Sequence, residues 1–390
     1  MFVEKLKENN QHLLKAAFDL HRKKEILPDT YVLDLDAIYE NALSMVEKAK
    51  PLGVELYFML KQIGRNPLVA RKLIDAGFKG CVAVDFNEAL TMIENNIHIS
   101  NVGHLVQIPE AALEKILSNK PDYCTVYSIE KIDEINEACK KLGLKQKLLI
   151  RITDEDAEMY SGQIAGFRSS NLPEILKHIE GLGNVEFGGI TVFPALLFDS
   201  KENAIKETVN VNGAERAKIV LDGLGYKDYM VNLPSASCTA SIELVKKIGG
   251  NICSCEPGHG LTGTTPLHKV SNQPEKVAYC YVSEVSHNFL DKAYCYGGGH
   301  YRRGHMENCL VGSKYEDLKM VKVAAPDMDS IDYHYELDGN QNVGDTCIMA
   351  YRTQIFTTRS QVAVVAGILK NMPNLIGLYD ALGKEIKKNW

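Results

Sequence analysis

The sequence predicts an α/β chain: a TIM (β/α)8 barrel followed by a β-rich domain. Three observations carry that prediction. Eight short β-branched or apolar runs alternate with segments of helical period between Val54 and Cys255, the pattern of successive βα units around a parallel sheet. Past Pro266 the texture changes to closely spaced β runs with turn residues. The length, 390 residues, suits two domains better than one core.

Taken in order, Phe2 to Lys23 reads as an N-terminal helix, and Leu33 and Leu35 mark a strand that either leads into the barrel or pairs with the β domain. The eight runs are Val54 to Leu60, Gly80 to Val84, Ser100 to Val106, Tyr123 to Tyr127, Lys147 to Ile152, Val185 to Val192, Tyr229 to Leu233 and Asn251 to Cys255. Between them lie NPLVARKLIDAG, SIEKIDEINEACKKLG, NLPEILKHIEGLG, ERAKIVLDGLG and ASIELVKKIGG, several closed by the glycine that suits a helix C-terminus. The β domain is read from KVAYCYVSEV, AYCYGGG, LKMVKVAA, DYHYEL and DTCIMAYRTQIF. The expected organisation is a helical extension over 1–30, the barrel over 31–266 and the β-rich domain over 267–390.

Composition narrows the function classes. A formal net charge of −6 and the lack of a basic stripe argue against a nucleic-acid surface. The first twenty residues mix charges into their apolar positions, unlike a signal peptide, and no stretch is long and apolar enough to span a bilayer. Ten scattered cysteines read most simply as reduced thiols in the cytoplasm.

YFMLKQIGRNP, residues Tyr57 to Pro67, is an apolar run that stops on Lys61. Read alone, Lys61 is no more than the first solvated residue after a strand. TIM barrels, however, build their sites at the C-terminal strand ends, and often hold a phosphate with the loops after the seventh and eighth strands. Those loops here are Pro234 to Thr239 and Glu256 to Thr265. Their small residues let backbone N–H groups approach an anion, and Ser235, Ser237, Thr239, Thr262 and Thr264 add hydroxyl donors. A strand-ending lysine, a phosphate cradle and an acid, Glu256, at one barrel mouth suit a phosphorylated aldehyde cofactor held as a Schiff base.

At these residues the chain resembles the fold-type III pyridoxal-phosphate (PLP) enzymes, the alanine racemase and ornithine decarboxylase class, and most closely their YhfX-like branch. The resemblance spans roughly Tyr31 to Arg359. It implies that Lys61 carries PLP and that EPGH is the second phosphate-loop motif, with Glu256, Gly258, Gly260 and Thr262 at the cofactor. It places Phe193, in GGITVFP, where the class carries a histidine that stacks on the pyridine ring. Racemases show Arg-Pro-Gly where this chain has Glu256-Pro257-Gly258. A carboxylate there favours a protonated ring nitrogen and a strong electron sink, as in the decarboxylases.

The resemblance also implies a homodimer with shared active sites and a small amino-acid or amine substrate. Racemisation needs an acid/base on each face of a planar intermediate. Lys61 supplies one, and Tyr296, Met328, Asp329 and Tyr351 are the visible candidates for the other, drawn from the β domain of a partner. Of these, Tyr296 is the choice for the opposite-face acid, and Tyr351, in MAYRTQIF, for a phosphate contact. Arg65 replaces the tyrosine that racemases carry at that spacing and reads either as a phosphate or carboxylate ligand or as a surface arginine. Arg151, ending the fifth run, is a further substrate-side candidate. His300 and His305, with Cys295 and Cys309 nearby, fit no standard zinc spacing, so no metal site is expected. The expected activity is a PLP-dependent amino-acid racemase or epimerase. The alternatives are a decarboxylase or D-amino-acid lyase, and a PLP-binding protein without turnover.

Overall fold

A computed structural model describes residues 2–327 and 329–390. The chain divides into two compact units: a sheet unit of residues 1–42, 61–72 and 259–390, and a barrel unit of residues 43–60 and 73–258.

The sheet unit begins with two helices, α1 (Phe2–Asn9) and α2 (Gln11–Arg22), where the sequence suggests one. Asn10 interrupts them. Its side-chain oxygen accepts from the Leu13 N–H at 3.2 Å, capping α2, while its amide donates to Asp34 Oδ2 at 2.9 Å and to the Val277 carbonyl at 3.1 Å. Strand β1 (Thr30–Asp34) follows, buried along its whole length. It pairs antiparallel with β12 (below) and parallel with Gln361–Ala366, so of the two placements open in the sequence it takes the one in the β domain.

The barrel unit contains β2 (Val54–Phe58), β3 (Gly80–Ala83), β4 (Ile99–Val102), β5 (Tyr123–Val126), β6 (Gln146–Arg151), β7 (Val185–Thr191), the hairpin β8 (Leu196–Asp199) and β9 (Ala204–Glu207), β10 (Met230–Asn232) and β11 (Cys253–Cys255). All but the hairpin close into a parallel eight-stranded barrel, β2-β3-β4-β5-β6-β7-β10-β11 and back to β2. These are the eight runs read from the sequence. Tyr57, Met59, Val82, Val84, Leu149 and Met230, contributed by strands and strand ends around the ring, pack together as its apolar interior. Side chains two apart share a strand face, so Arg151 stands one layer beyond Leu149, and Asn232 one layer beyond Met230. Arg151, Thr191 and Asn232 are successive cross-strand partners, and Asn232 in turn partners Ser254. Thr191 donates to Asn232 Oδ1 at 2.8 Å and Asn232 to Ser254 Oγ at 3.0 Å. The barrel interior thus turns from apolar to polar toward the C-terminal strand ends.

The sheet unit is completed by β12 (Tyr279–Phe289), β13 (Lys292–Tyr296), β14 (Asn308–Gly312), β15 (Lys319–Lys322), β16 (His334–Asp338), β17 (Thr346–Met349), β18 (Gln361–Ala366) and β19 (Asn374–Tyr379). The order is β15-β14-β17-β12-β1-β18-β19, with β13 joining β12 to β16. Leu13, Leu14 and Phe18 of α2 pack on Val282, Leu310, Ile348 and Val365, each such side chain contributing about 1.5–3 kcal/mol by leaving water. Strands β14, β18 and β19 were not among the expected runs. The run DTCIMAYRTQIF is a strand only through Met349; Ile355–Thr357 form a 3-10 turn.

Candidate functional site

In the barrel unit the polar end of the interior is organised around Glu256, the residue after β11. Its carboxylate is buried, and its N–H donates to Ser237 Oγ at 3.2 Å. Ser237 lies in the loop after β10, where Ser235 (φ 91°) and Ala236 (φ 46°) both occupy the left-handed region, at a backbone cost of about 1–3 kcal/mol each. The loop runs through Cys238, whose N–H is held by Ser241 Oγ at 3.0 Å, and a 3-10 turn at Thr239–Ser241 into the helix Ile242–Gly249. The loop thus leads small residues into a helix start, a setting that suits an anion.

His104 faces Glu256 from the loop after β4. The expected run Ser100 to Val106 stops early because Gly103 turns the chain at φ 88°, where a Cβ would meet the Thr125 carbonyl at 2.5 Å. The turn brings His104 Nε2 to 3.6 Å from Glu256 Oε2, with neither side chain exposed to solvent. The imidazole meets Phe193 edge-on, ring centroids 5.2 Å apart. Arg151 fixes the same corner. Its guanidinium donates to Tyr127 Oη at 2.9 Å, to the His104 carbonyl at 3.3 Å and to the Gln163 carbonyl at 3.1 Å, and lies over the rings of Tyr127 and Phe193. Tyr127 also donates to the His104 carbonyl. Burial raises the Tyr127 phenol above its ordinary value, with Arg151 opposing it, and burial lowers Arg151, with Tyr127 opposing. Arg151 Nε is buried without a hydrogen-bond partner among the described residues.

In the sheet unit Lys61 opens a 3-10 turn, Lys61–Ile63, instead of ending the strand; β2 stops at Phe58, and in the barrel unit the Met59 N–H still donates to the Pro257 carbonyl, two residues past β11, at 2.9 Å. Lys61 is half-buried and Gln62 buried. Gln62 Nε2 lies 3.5 Å from His259 Nδ1, and His259 Nε2 is 2.9 Å from the Thr353 carbonyl, so Nε2 carries the proton and Nδ1 accepts. Burial pulls the His259 pKa well below its ordinary value, assisted by the charges of Arg352, Lys61 and Arg303. The ring is neutral at physiological pH and stands among cations. Beyond it Thr262 Oγ1 donates to the His259 carbonyl at 3.1 Å and pairs with Thr264 Oγ1 at 2.8 Å. Gly263 permits the close turn, since a Cβ there would meet the Lys276 carbonyl at 2.1 Å.

The other expected site residues are distributed as follows. Phe193, Ser235 and Thr239 are half-buried and Gly258 is buried in the barrel unit; Gly260 is buried in the sheet unit. Arg65 is only 4% exposed, its guanidinium 5.2 Å from the Phe356 ring centroid, which corrects the surface-arginine alternative. Tyr351 is buried, its hydroxyl 2.8 Å from that of Tyr31. Tyr296 is exposed at the end of β13, its ring 5.8 Å from that of His334. Asp329 is exposed, and Met328 lies outside the described residues. Among the described residues no group of three or more His, Cys, Asp or Glu side chains is arranged to hold a metal ion. His104, Tyr127, Gln62 and His259 were not singled out from the sequence. The signal for His104 was the Gly-His pair, hidden inside a run read as one strand.

The comparisons with known proteins agree with this architecture. Residues 33–266 match the family described as alanine racemase, N-terminal domain, and residues 280–375 match YhfX-like, C-terminal domain. The Escherichia coli (strain K12) protein called uncharacterized protein YhfX is 39% identical over 387 residues, covering 99% of this chain and 100% of that protein. Among solved structures, D-threonine aldolase from Filomicrobium marinum superposes with a TM-score of 0.68 at 15% identity, over 91% of this chain and 95% of that one. An alanine racemase of Clostridium difficile 630 in complex with cycloserine superposes with a TM-score of 0.63 at 18% identity, over 91% and 99%. The chain belongs to the alanine racemase N-terminal domain family, its barrel followed by a YhfX-like C-terminal domain.

Proposed function

We propose that this chain is a PLP-dependent enzyme acting at the α-carbon of an amino acid, most simply a racemase or epimerase, with Lys61 as the residue that carries the cofactor. One observation carries the reading: each unit independently brings the segment after β2 beside the segment after β11. In the barrel unit Met59 bonds to Pro257, and in the sheet unit Gln62 and Lys61 stand by His259. The residues fit the group, with a half-buried amine, a buried carboxylate, a strained small-residue loop at a helix start, and a buried Arg151 donor with no partner among the described residues.

PLP, when bound, supplies a ring that accepts the electrons of a bond broken at the α-carbon. The protein's share is positioning and proton handling. Lys61 Nζ would hold the cofactor and would serve as the base on one face of the substrate. Ser235, Ser237, Thr239 and the backbone amides around them, with Gly258, would hold the phosphate, and Gly260 and Thr262 are assigned to it by the resemblance alone. Tyr351 is assigned to the phosphate by the resemblance; Tyr31 can donate to its oxygen and leave the Tyr351 proton for an acceptor. Phe193 would cover the ring, and Glu256 would stand at its nitrogen. Arg65, buried and charged, and Arg151 are the cationic groups for the phosphate and a substrate carboxylate. Tyr296, exposed, is assigned to the opposite face in a second copy, which makes the active form a homodimer. Ten buried cysteines, read as reduced, are in keeping with a reducing compartment.

A second reading, decarboxylase or D-amino-acid lyase, is favoured by Glu256, because a buried carboxylate at the ring nitrogen strengthens the sink for any of the α-bonds. Amino-acid enantiomers incubated with the loaded protein in deuterated water decide between them. Inversion with α-deuteration is the expected result; carbon dioxide or an aldehyde would transfer the assignment to the second reading. An absorption band of the bound cofactor that survives Lys61→Ala would remove the cofactor assignment.

A further inference from the structure

The pair formed by His104 and Glu256 lies wholly within the barrel unit, and of the two only Glu256 has a part in the assignments above. Its geometry is built from several directions. Gly103 supplies the turn that only glycine adopts without a clash, and Arg151 and Tyr127 both donate to the His104 carbonyl, anchoring the backbone. Phe193 flanks the imidazole edge-on. What remains of the ring is directed at Glu256, Nε2 to Oε2 at 3.6 Å, with zero solvent exposure on either side chain. Arg151, Tyr127 and Phe193 are among the groups beside the pair, one of them a cation and one a phenol that senses Glu256.

A carboxylate so deeply buried is costly as an anion unless a donor stands beside it, and two interacting buried groups titrate as a unit. We propose that His104 is a positioning residue for Glu256: its Nε2, at ion-pair distance from the carboxylate, keeps Glu256 ionised and oriented, so that Glu256 rather than His104 faces the cofactor's ring nitrogen. The proton stays on His104 Nε2 and none resides on Glu256. Loss of the imidazole lets the buried carboxylate take up a proton, and the ring nitrogen then loses its anionic partner. This inference rests on the PLP reading for its effect on the ring, while the pair itself can be tested without cofactor.

Two measurements on the full chain separate these levels. In cofactor-free protein, the His104 imidazole N–H gives a slowly exchanging proton resonance downfield of the amides, absent in His104→Leu and shifted upfield in Glu256→Gln; a resonance indifferent to Glu256→Gln overturns the pair. In protein loaded with PLP labelled with nitrogen-15 in the ring, His104→Leu moves the ring resonance toward the unprotonated position, and His104→Gln, which keeps an N–H donor, restores at least half of the shift. An unmoved resonance in His104→Leu overturns the positioning role, and a purely structural role would not be rescued by glutamine. Failure of the protein to take up PLP sinks the functional reading alone, because the cofactor-free proton still decides whether His104 serves Glu256.

Discussion

The backbone N–H of Met59 donates to the carbonyl of Pro257 at 2.9 Å, tying the exit of β2 to the loop that carries Glu256. Glu256 is therefore held by its own N–H on Ser237 and by its neighbour's carbonyl on Met59, and its side chain can be changed without freeing the loop. Glu256→Gln should leave PLP content within twofold and slow α-proton exchange in deuterated water by about a hundredfold, the range for losing one aligned electrostatic partner. Equal exchange rates in the variant and the parent would dismiss Glu256 as the partner of the ring nitrogen.

Gly103 separates conformational need from mere small size. Gly103→Ala places a Cβ 2.5 Å from the Thr125 carbonyl at a left-handed φ, and should lower unfolding stability by about 2–4 kcal/mol. Gly223→Ala, at the end of the helix Asn210–Gly223 with open space around the new methyl, should be neutral or stabilising by up to about 1 kcal/mol. Urea unfolding of both variants gives the comparison, and equal midpoints would contradict it.

Asn10→Ala removes three bonds at once: the α2 cap, the donor to Asp34 and the donor to Val277. The expected loss is about 2–4 kcal/mol, a cap plus a donor to a buried carboxylate. Asn10→Asp, which keeps the cap and sets two carboxylates together, should be at least as damaging in thermal unfolding at neutral pH. A tolerated aspartate would show that the cap, not the Asp34 contact, is what matters.

His21 gives a pH dependence whose sign follows from burial. It bonds Thr346 Oγ1 at 2.8 Å and lies 3.3 Å from Glu284, but that carboxylate is half-exposed, and burial dominates, with Arg22 adding to it, taking the pKa from 6.5 down to about 4. The folded state therefore binds fewer protons than the unfolded chain between these values. The stability that depends on a neutral His21 is complete above about pH 6.5 and is lost as the pH falls toward 4, by about 3 kcal/mol for a shift of this size. His21→Gln should flatten that part of the stability profile. A difference between parent and variant that stays constant from pH 7 to 4 would contradict the assignment.

The barrel was legible because its eight strands are short apolar runs set off by amphipathic helices, a pattern that alternation and spacing expose directly. The strands missed were of two kinds. β18 is a nearly continuous buried run, QVAVVA, which carries no alternation to mark it, and β14, NCLVG, is five residues in a segment rich in turns. The site divided similarly. Lys61 and Glu256 stood out because a charge at the end of an apolar run is conspicuous in one dimension. His104 did not, since its meaning lies in a carboxylate 152 positions later in the chain, and a glycine inside an apparent strand concealed the turn that aims it. The buried state of Arg65 was likewise unreadable: the aromatic ring beside it, Phe356, comes from the far end of the sequence.

Strand β1 sits between β12 and β18 in the finished sheet. During synthesis it leaves the ribosome with both neighbours still untranslated, and its parallel partner begins only at Gln361. At about 5–20 residues per second the gap corresponds to tens of seconds, during which a strand that is buried along its whole length in the finished fold has both hydrogen-bonding edges open. The barrel segments emerge and can close in that interval. A chaperone that shields the first forty residues would act on this waiting strand, and shortening the wait, by faster elongation or by circularly permuting the chain so that β1 follows β18, would be felt as a higher yield of soluble protein with no change in the stability of the folded state.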